Sequence, residues 1–477
     1  MLGPTGLDII LVESEAIGIV GVGEATLPHI RQFNEAIGID EAEFMSATSA
    51  TFKLGIEFVD WARKGDSYIH PFGDFGLPNE GVAFHHYWRK FADEEGTGPL
   101  DDYSLPVVAS RLGRFAPPSK DPRSVLSTYR YAYQFDALQY APFLRRHAEA
   151  RGAKRVEGQV VLVDQHAQSG NIAAITLEDG RRIEGDLFID CTGFFGLLIE
   201  QTLGAGYDSW AEWLPCDRAV AVPCASAGPL LPYTRATADT AGWRWRIPLQ
   251  HRTGNGHVYS SSFIGDEAAR DSLLANLEGK ALADARLLKF VTGKRRKLWH
   301  RNCVAIGLSG GFLEPLESTS IYLIQEGITK LLELFPVHAR HEVEREEYNR
   351  RMDLEFERIR DFLILHYHAT QRSDSAFWNH MRTMEVPDSL KEKMALFTAH
   401  GHVMRYDHGL FLPPSWVAVM TGQRLSPASY DWRVDRLPDS EVRRHLHGIR
   451  AHMQKSASAM PLHGEYIRNH GMARSAA

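Results

Sequence analysis

The sequence predicts an α/β fold, a Rossmann-type parallel sheet with an interleaved β-region followed by a mostly helical C-terminal part. Three observations predict it. Residues 7–12 form an apolar run, Leu-Asp-Ile-Ile-Leu-Val, closed by Glu13, which reads as a buried parallel strand. Residues 155–163, 172–177 and 186–191 are further apolar runs, the second ending in an Asp179-Gly180 turn, and they read as strands. Beyond about residue 335 strand signals become sparse and helical ones dominate. The chain is therefore divided into residues 1–335, a nucleotide-binding module with an interleaved substrate region, and residues 336–477, a mostly helical region that completes the substrate site.

The elements follow in order. Glu13 ends the first strand, and in a dinucleotide fold an acidic residue at the end of the second strand bonds ribose hydroxyls. Taken alone, Glu13 is as readily a surface residue. The glycine turn that should precede it is missing: no Gly-x-Gly-x-x-Gly occurs near the N-terminus, and Gly21-Val22-Gly23-Glu24-Ala25-Thr26 lacks the third glycine. The expectation is that the first βα unit is absent, a truncation of roughly 25–30 residues, which leaves a sheet edge unpaired and weakens binding of a dinucleotide. Residues 137–152 have helical spacing, with Leu138, Phe143 and Leu144 on one side and Arg145, Arg146 and Glu149 on another. Residues 317–334 read as a helix, and 337–368 as one or two long helices whose charges form a solvated face.

Bulk properties exclude several function classes. The net charge of -7 over 477 residues gives no basic face for nucleic acid. No apolar run reaches the length of a membrane span. Met1 to Gly6 has no basic region before its apolar stretch, so no signal peptide is expected and the location expected is cytoplasmic. Cys191, Cys216, Cys224 and Cys303 are too few for a disulfide framework and their spacings fit no zinc site, so no metal is expected.

Four separated motifs carry the chemistry. They are Gly21-Val22-Gly23-Glu24-Ala25-Thr26-Leu27-Pro28; Thr51-Phe52-Lys53 leading to Phe58-Val59-Asp60-Trp61; Trp243-Arg244-Trp245-Arg246-Ile247-Pro248; and Phe312-Leu313-Glu314-Pro315-Leu316-Glu317-Ser318-Thr319-Ser320-Ile321. Together and in this order they resemble the flavin-dependent tryptophan halogenases. The resemblance implies an FAD-binding module of the p-hydroxybenzoate-hydroxylase type and oxidative halogenation of an electron-rich, indole-type ring, chemistry that serves antibiotic biosynthesis.

The resemblance also implies roles for residues. Lys53 matches the catalytic lysine, which aims hypohalous acid at a ring carbon by hydrogen bonding or as a haloamine. Phe52, Ile56 and Val59 would equally suit a surface lysine on an amphipathic helix. Glu317 matches a carboxylate that stabilises the cationic ring and accepts its proton. It is also placed where a helix should begin, whose dipole would keep it ionised. Ser318 joins it on the substrate side. Thr319 and Ser320 match the halide site, with Ser320 where the family has glycine, so the N–H is kept but backbone freedom is not. His70 and Phe72 stand where the family sandwiches the substrate ring. Trp243, Trp245, Ile247 and Pro248 match a strand that keeps substrate from the flavin. Flavin contacts are implied for Glu13, Gly21, Val22, Gly23, Glu24, Ala25, Thr192, Gly193, Gly307, Leu308, Ser309 and Ile321. Ser309 stands where wider flavin monooxygenases have Asp, which favours a halogenase over a hydroxylase.

In the reaction so implied, a separate NAD(P)H-dependent flavin reductase supplies reduced FAD (FADH2). Oxygen and a bound bromide or chloride then yield hypohalous acid, which travels inside the protein to Lys53. A small aromatic is the substrate, and the resemblance leaves room for a homodimer. Three alternatives stay open: an aromatic hydroxylase on the same fold, a halogenase specific for free tryptophan, and a flavin-poor inactive remnant. No amino-acid-binding segment is recognisable around residues 404–423, where Phe411-Leu412-Pro413-Pro414-Ser415-Trp416 stands.

Overall fold

A computed structural model describes residues 6–17, 23–336, 341–406 and 409–473. The apolar run before Glu13 forms the strand Ile10–Glu13, paired in parallel with Lys154–Glu157 in a two-stranded sheet. Phe188–Asp190 pairs in parallel with Cys303–Ala305, which in turn pairs with Trp299–His300. Among the described residues no strand joins these two sheets. The strands are short of cover: Ile10 is 42% exposed and Ile189 42% exposed, the state expected of a strand whose edge and face lack partners.

The single strand expected over 155–163 is two strands, Lys154–Glu157 and Val160–Gln165, in different sheets. Gly158 lies between them at φ +154°, with Leu177 Cδ1 only 2.9 Å from where a Cβ would sit. The chain uses this glycine to leave one sheet and enter another beside Ile172–Leu177.

The largest sheet has seven strands, in the order Arg286–Lys289, Arg218–Cys224, Thr253–Tyr259, Gly242–Pro248, Thr234–Asp239, Gly55–Val59, Ser67–Pro71. All neighbours are antiparallel except Thr234–Asp239 with Gly55–Val59. A separate antiparallel sheet places Ala132–Asp136 between Gly23–Ala25 and Thr51–Lys53. The stretch around Lys53 is therefore strand, not helix. Its neighbours Phe52 and Ile56 are both buried, because two sheets rather than one helix face cover them.

Past residue 335 the regular elements among the described residues are helical, as expected. The helix Glu342–His368 differs from the expected solvated face. Its first half carries exposed charges, whereas every residue from Asp361 to Tyr367 is buried. The run Phe362-Leu363-Ile364-Leu365-His366-Tyr367 is apolar around the whole helix, which marks a core helix. The main apolar cluster draws on both halves of the chain, from Ala25 and Ile56 to Phe362 and Leu446.

Candidate active site

Lys53 ends the strand Thr51–Lys53, and that strand is held from every side. Thr51 Oγ1 donates to the Pro248 carbonyl at 2.8 Å. Phe52 stacks on Phe115 at 3.9 Å. The Lys53 side chain is fully buried, and its Nζ donates to Ser318 Oγ at 2.8 Å and to the Thr26 carbonyl at 3.1 Å. The Phe72 ring lies 5.1 Å from the amine. Burial pushes the lysine down to about 7, against the pull of the nearby Glu317 charge, so a large neutral fraction exists at physiological pH.

Glu317 does not open a helix. It closes the 3₁₀ turn Pro315–Glu317, Ser318 follows in the left-handed region at φ 59°, and the helix Ser320–Glu333 starts after Thr319. A left-handed serine costs on the order of 1 kcal/mol. Here the turn is fixed by the Ser318 N–H to Pro315 carbonyl bond at 3.1 Å, and the hydroxyl accepts from Lys53. The Glu317 carboxylate is fully buried between two imidazoles: His70 Nδ1 lies 2.9 Å from Oε2 and His366 Nε2 lies 2.9 Å from Oε1. Burial alone would raise Glu317, but the His70 and His366 contacts outweigh it and hold the group at about 2. Two histidines, rather than a helix dipole, keep it ionised. His366 Nδ1 faces the Phe362 carbonyl at 2.8 Å, which fixes the orientation of the ring beside Glu317.

A second buried carboxyl stands three residues earlier. Glu314 Oε2 accepts from Trp243 Nε1 at 3.1 Å and from the Tyr367 hydroxyl. Burial pushes it up to about 7.

A cavity of about 270 Å³, at the small end of ligand sites, opens beside these groups. His70, Phe72, Leu27, Pro28, Phe411 and Leu412 form its apolar part, with Asp74 and Arg130 also on its border. Phe411 is stacked on Phe362 at 3.8 Å, which supports that wall from behind. His70 and Phe72 are perpendicular, at 81° and 6.4 Å. They border one cavity but are not two parallel plates, because His70 is turned by its bond to Glu317.

At the start of the helix Ser320–Glu333, the Thr319 and Ser320 N–H groups have no acceptor among the described residues. The Thr319 hydroxyl is likewise buried without a partner. Donors left bare at a helix start are what an anion needs.

The segments expected to line flavin converge in part. The Ile306 N–H donates to the Asp190 carbonyl at 3.0 Å, and the Ser309 hydroxyl donates to the same oxygen. Gly193 and Gly307 are both left-handed, at φ +71° and +78°, and nothing lies within 4 Å of a Cβ on Gly193. Leu308 and Thr192 are partly exposed beside them. Bare backbone of this kind fits a flat ring. Ile321 is partly buried on the helix nearby, packed into the cluster around Phe52. Glu24 is pushed up to about 7 by burial. Gly23 and Ala25 are buried, and a Cβ on Gly23 would lie 3.5 Å from Ile247 Cγ2. That strand therefore rests against Gly242–Pro248, in which Trp243, Trp245, Ile247 and Pro248 are all buried. Gly21 and Val22 lie outside the described residues. Glu13 Oε1 is paired with Arg155 Nε at 2.5 Å and Arg145 NH1 at 3.2 Å. No glycine turn at a helix start adjoins it among the described residues, so the phosphate side of a flavin site is not supplied there.

Sequence reasoning missed Glu314, His366 and Tyr367. The signals were present, a second Glu in Leu-Glu-Pro-Leu-Glu and a His-Tyr pair ending an uninterrupted apolar run.

The tryptophan halogenase family profile matches residues 1–439. The tryptophan 6-halogenase SttH of Streptomyces toxytricini is 37% identical over 450 residues, covering 87% of this chain and 84% of that protein. Among solved structures, Xcc4156, a flavin-dependent halogenase from Xanthomonas campestris, superposes with a TM-score of 0.95 at 47% identity, covering 100% of this chain and 94% of the other. BrvH, a flavin-dependent halogenase from Brevundimonas sp. BAL3, gives 0.95 at 43% identity, covering 99% and 94%.

Proposed function

Because the chain belongs to the tryptophan halogenase family and is a flavin-dependent halogenase, we propose that it halogenates an indole-type ring, bromide before chloride, with Lys53 delivering the halogen and Glu317 taking the ring proton. Enzymes of this kind need FAD and a halide, act on small aromatics and draw on a separate flavin reductase. The observation that carries the residue assignment is the Lys53–Ser318 bond, which ties a buried amine to the residue next to a buried, ionised carboxylate, directly behind the cavity-lining Phe72 and His70.

When bound, reduced FAD supplies with oxygen the oxidising equivalents that turn halide into hypohalous acid. The Thr319 and Ser320 amides hold the halide. Trp243, Trp245, Ile247 and Pro248 wall the substrate off from the flavin side. The neutral amine of Lys53 takes the halogen from hypohalous acid: an N–X bond forms, the O–X bond breaks, and water leaves. The ring carbon then takes the halogen and the N–X pair returns to the Lys53 nitrogen; the displaced ring proton passes to Glu317, whose carboxyl gives it back to that nitrogen in place of the one lost with the water, so amine and carboxylate are both regenerated. The cationic ring is a far stronger acid than any carboxyl, so the low value of Glu317 does not hinder that transfer. Atoms balance as arene plus hypohalous acid to aryl halide plus water.

Bromide is favoured on two grounds. It is easier to oxidise and less strongly hydrated, and Ser320, where the family has glycine, takes backbone freedom from a site tuned for the smaller ion. The small cavity supports an indole-type substrate. One observation supports free tryptophan instead: Asp74 and Arg130 border the same cavity and offer an acidic and a basic side chain to an ammonium and a carboxylate. Mass spectrometry of products from indole, tryptophan and phenol, with a reductase and each halide, tests the proposal. Hydroxylated product, or none, overturns it.

A further inference from the structure

We infer that Glu314 is a positioning residue for halogenation, holding Trp243 of the partition strand and the start of the Glu317 turn in one clamp with Tyr367. The inference rests on the halogenase reading above. Glu314 is fully buried and opens the 3₁₀ turn Pro315–Glu317. One of its oxygens accepts from both Trp243 and Tyr367, and the other has no partner among the described residues. No cation pairs with it there, in contrast to Glu317. A carboxyl buried with one bare oxygen is a poor choice for stability, since an apolar side chain of similar size would avoid its desolvation cost. Its placement between two donors at the head of the Glu317 turn points to a task.

The geometry shows the task. His366 and Tyr367 are adjacent residues of the helix Glu342–His368, and they grip the two carboxyls at opposite ends of one short turn. His70 grips Glu317 from the seven-stranded sheet, and Trp243 grips Glu314 from the same sheet. The turn that carries the proton acceptor and the strand that separates flavin side from cavity are thus fixed to each other through Glu314. Without it the Trp243 N–H is left buried and unpaired, and the ring must shift to find water or another acceptor. A shifted Trp243 loosens the wall that confines hypohalous acid. The loss is then seen in coupling, the halogenated product formed per flavin oxidised, rather than in flavin oxidation itself.

The test compares the wild-type chain with Glu314→Gln, Glu314→Leu, Tyr367→Phe and Trp243→Phe, each with a flavin reductase, oxygen, bromide and indole. Glutamine can accept the same two donors, so it is expected to keep coupling within about twofold. Leucine is expected to lower coupling about fivefold or more while flavin oxidation stays within about twofold. A structural role alone would change the yield of folded protein, not this ratio. A folded Glu314→Leu variant with wild-type coupling overturns the inference. Where that variant does not fold, Tyr367→Phe and Trp243→Phe decide: lowered coupling in both supports the clamp, and unchanged coupling in either overturns it. A wild-type chain that oxidises flavin with no halogenated product overturns the halogenase reading and this inference together.

Discussion

Lys53 Nζ and Ser318 Oγ lie 2.8 Å apart, although 265 positions separate them in the chain. The bond joins the end of one strand to a left-handed residue directly after Glu317. It ties Lys53, proposed to carry the halogen, to the residue next to Glu317, proposed to take the ring proton, so movement of one strains the anchor of the other.

Lys53→Ala is expected to abolish halogenated product while flavin oxidation continues, because the lysine acts after hypohalous acid has formed. Product is quantified by mass spectrometry and flavin turnover by absorbance. Halogenation at near wild-type rate and selectivity would remove Lys53 from its role.

The same lysine gives a pH dependence. Its value in the fold, about 7, is below the ordinary 10.5. The unfolded chain therefore binds more protons between these limits, and the contribution of this site to stability rises with pH from about 7 to 10.5. Below pH 7 the cost of burying the ammonium is fully present. Lys53→Met should accordingly stabilise the protein, on the order of 2 kcal/mol after allowing for the lost bonds to Ser318 and Thr26. The gain should be largest at pH 6 and shrink toward pH 10, as read by chemical denaturation. In the active enzyme, halogen transfer should rise as pH passes through about 7 and then level off, and a flat profile would exclude a neutral amine.

Glu317→Gln should lower the halogenation rate by about 10²-fold or more, the usual scale for a positioned acid–base group. The amide removes the proton acceptor and leaves the His70 and His366 imidazoles facing a neutral group. An unchanged turnover number would reduce Glu317 to a structural ion partner.

Competition between bromide and chloride at equal concentration should give mainly brominated product. Ser320→Gly, which restores the family's glycine and its backbone freedom at the helix start, should raise the chlorinated share. Chlorinated product in excess from the wild-type chain rules the preference out.

The segments of the candidate site were readable from the sequence, since Lys53, Glu317, the strand Gly242–Pro248 and the turn at Thr319 and Ser320 lie in contiguous motifs whose local spacing survives folding. Four features were not. Lys53 was compatible with an amphipathic helix because Phe52, Ile56 and Val59 have helical spacing, and only sheet pairing with Ala132–Asp136 decides otherwise. Glu317 was placed at a helix start, since nothing local signals that a serine will take the left-handed region. His366 and Tyr367 were hidden because the charges earlier in their helix suggested a solvated face, whereas burial changes abruptly halfway along it. The pairing of Glu13 with two arginines depends on residues more than 130 positions away, beyond any sequence window.

The stack of Phe411 on Phe362 bears on how such an enzyme could change its diet. Lys53 is seated on a sheet and Glu317 on a tight turn, whereas one wall of the cavity is residues 410–412, the end of the connection that leads into the helix Pro413–Gly422. Exchanging that connection would recut the pocket and leave the reacting groups where they are, so substrate range can drift while chemistry stays constant. Phe362 is the exception, because its carbonyl also faces His366. Backbone movement there reaches Glu317 within one hydrogen-bonded step, and variation should stop at that ring.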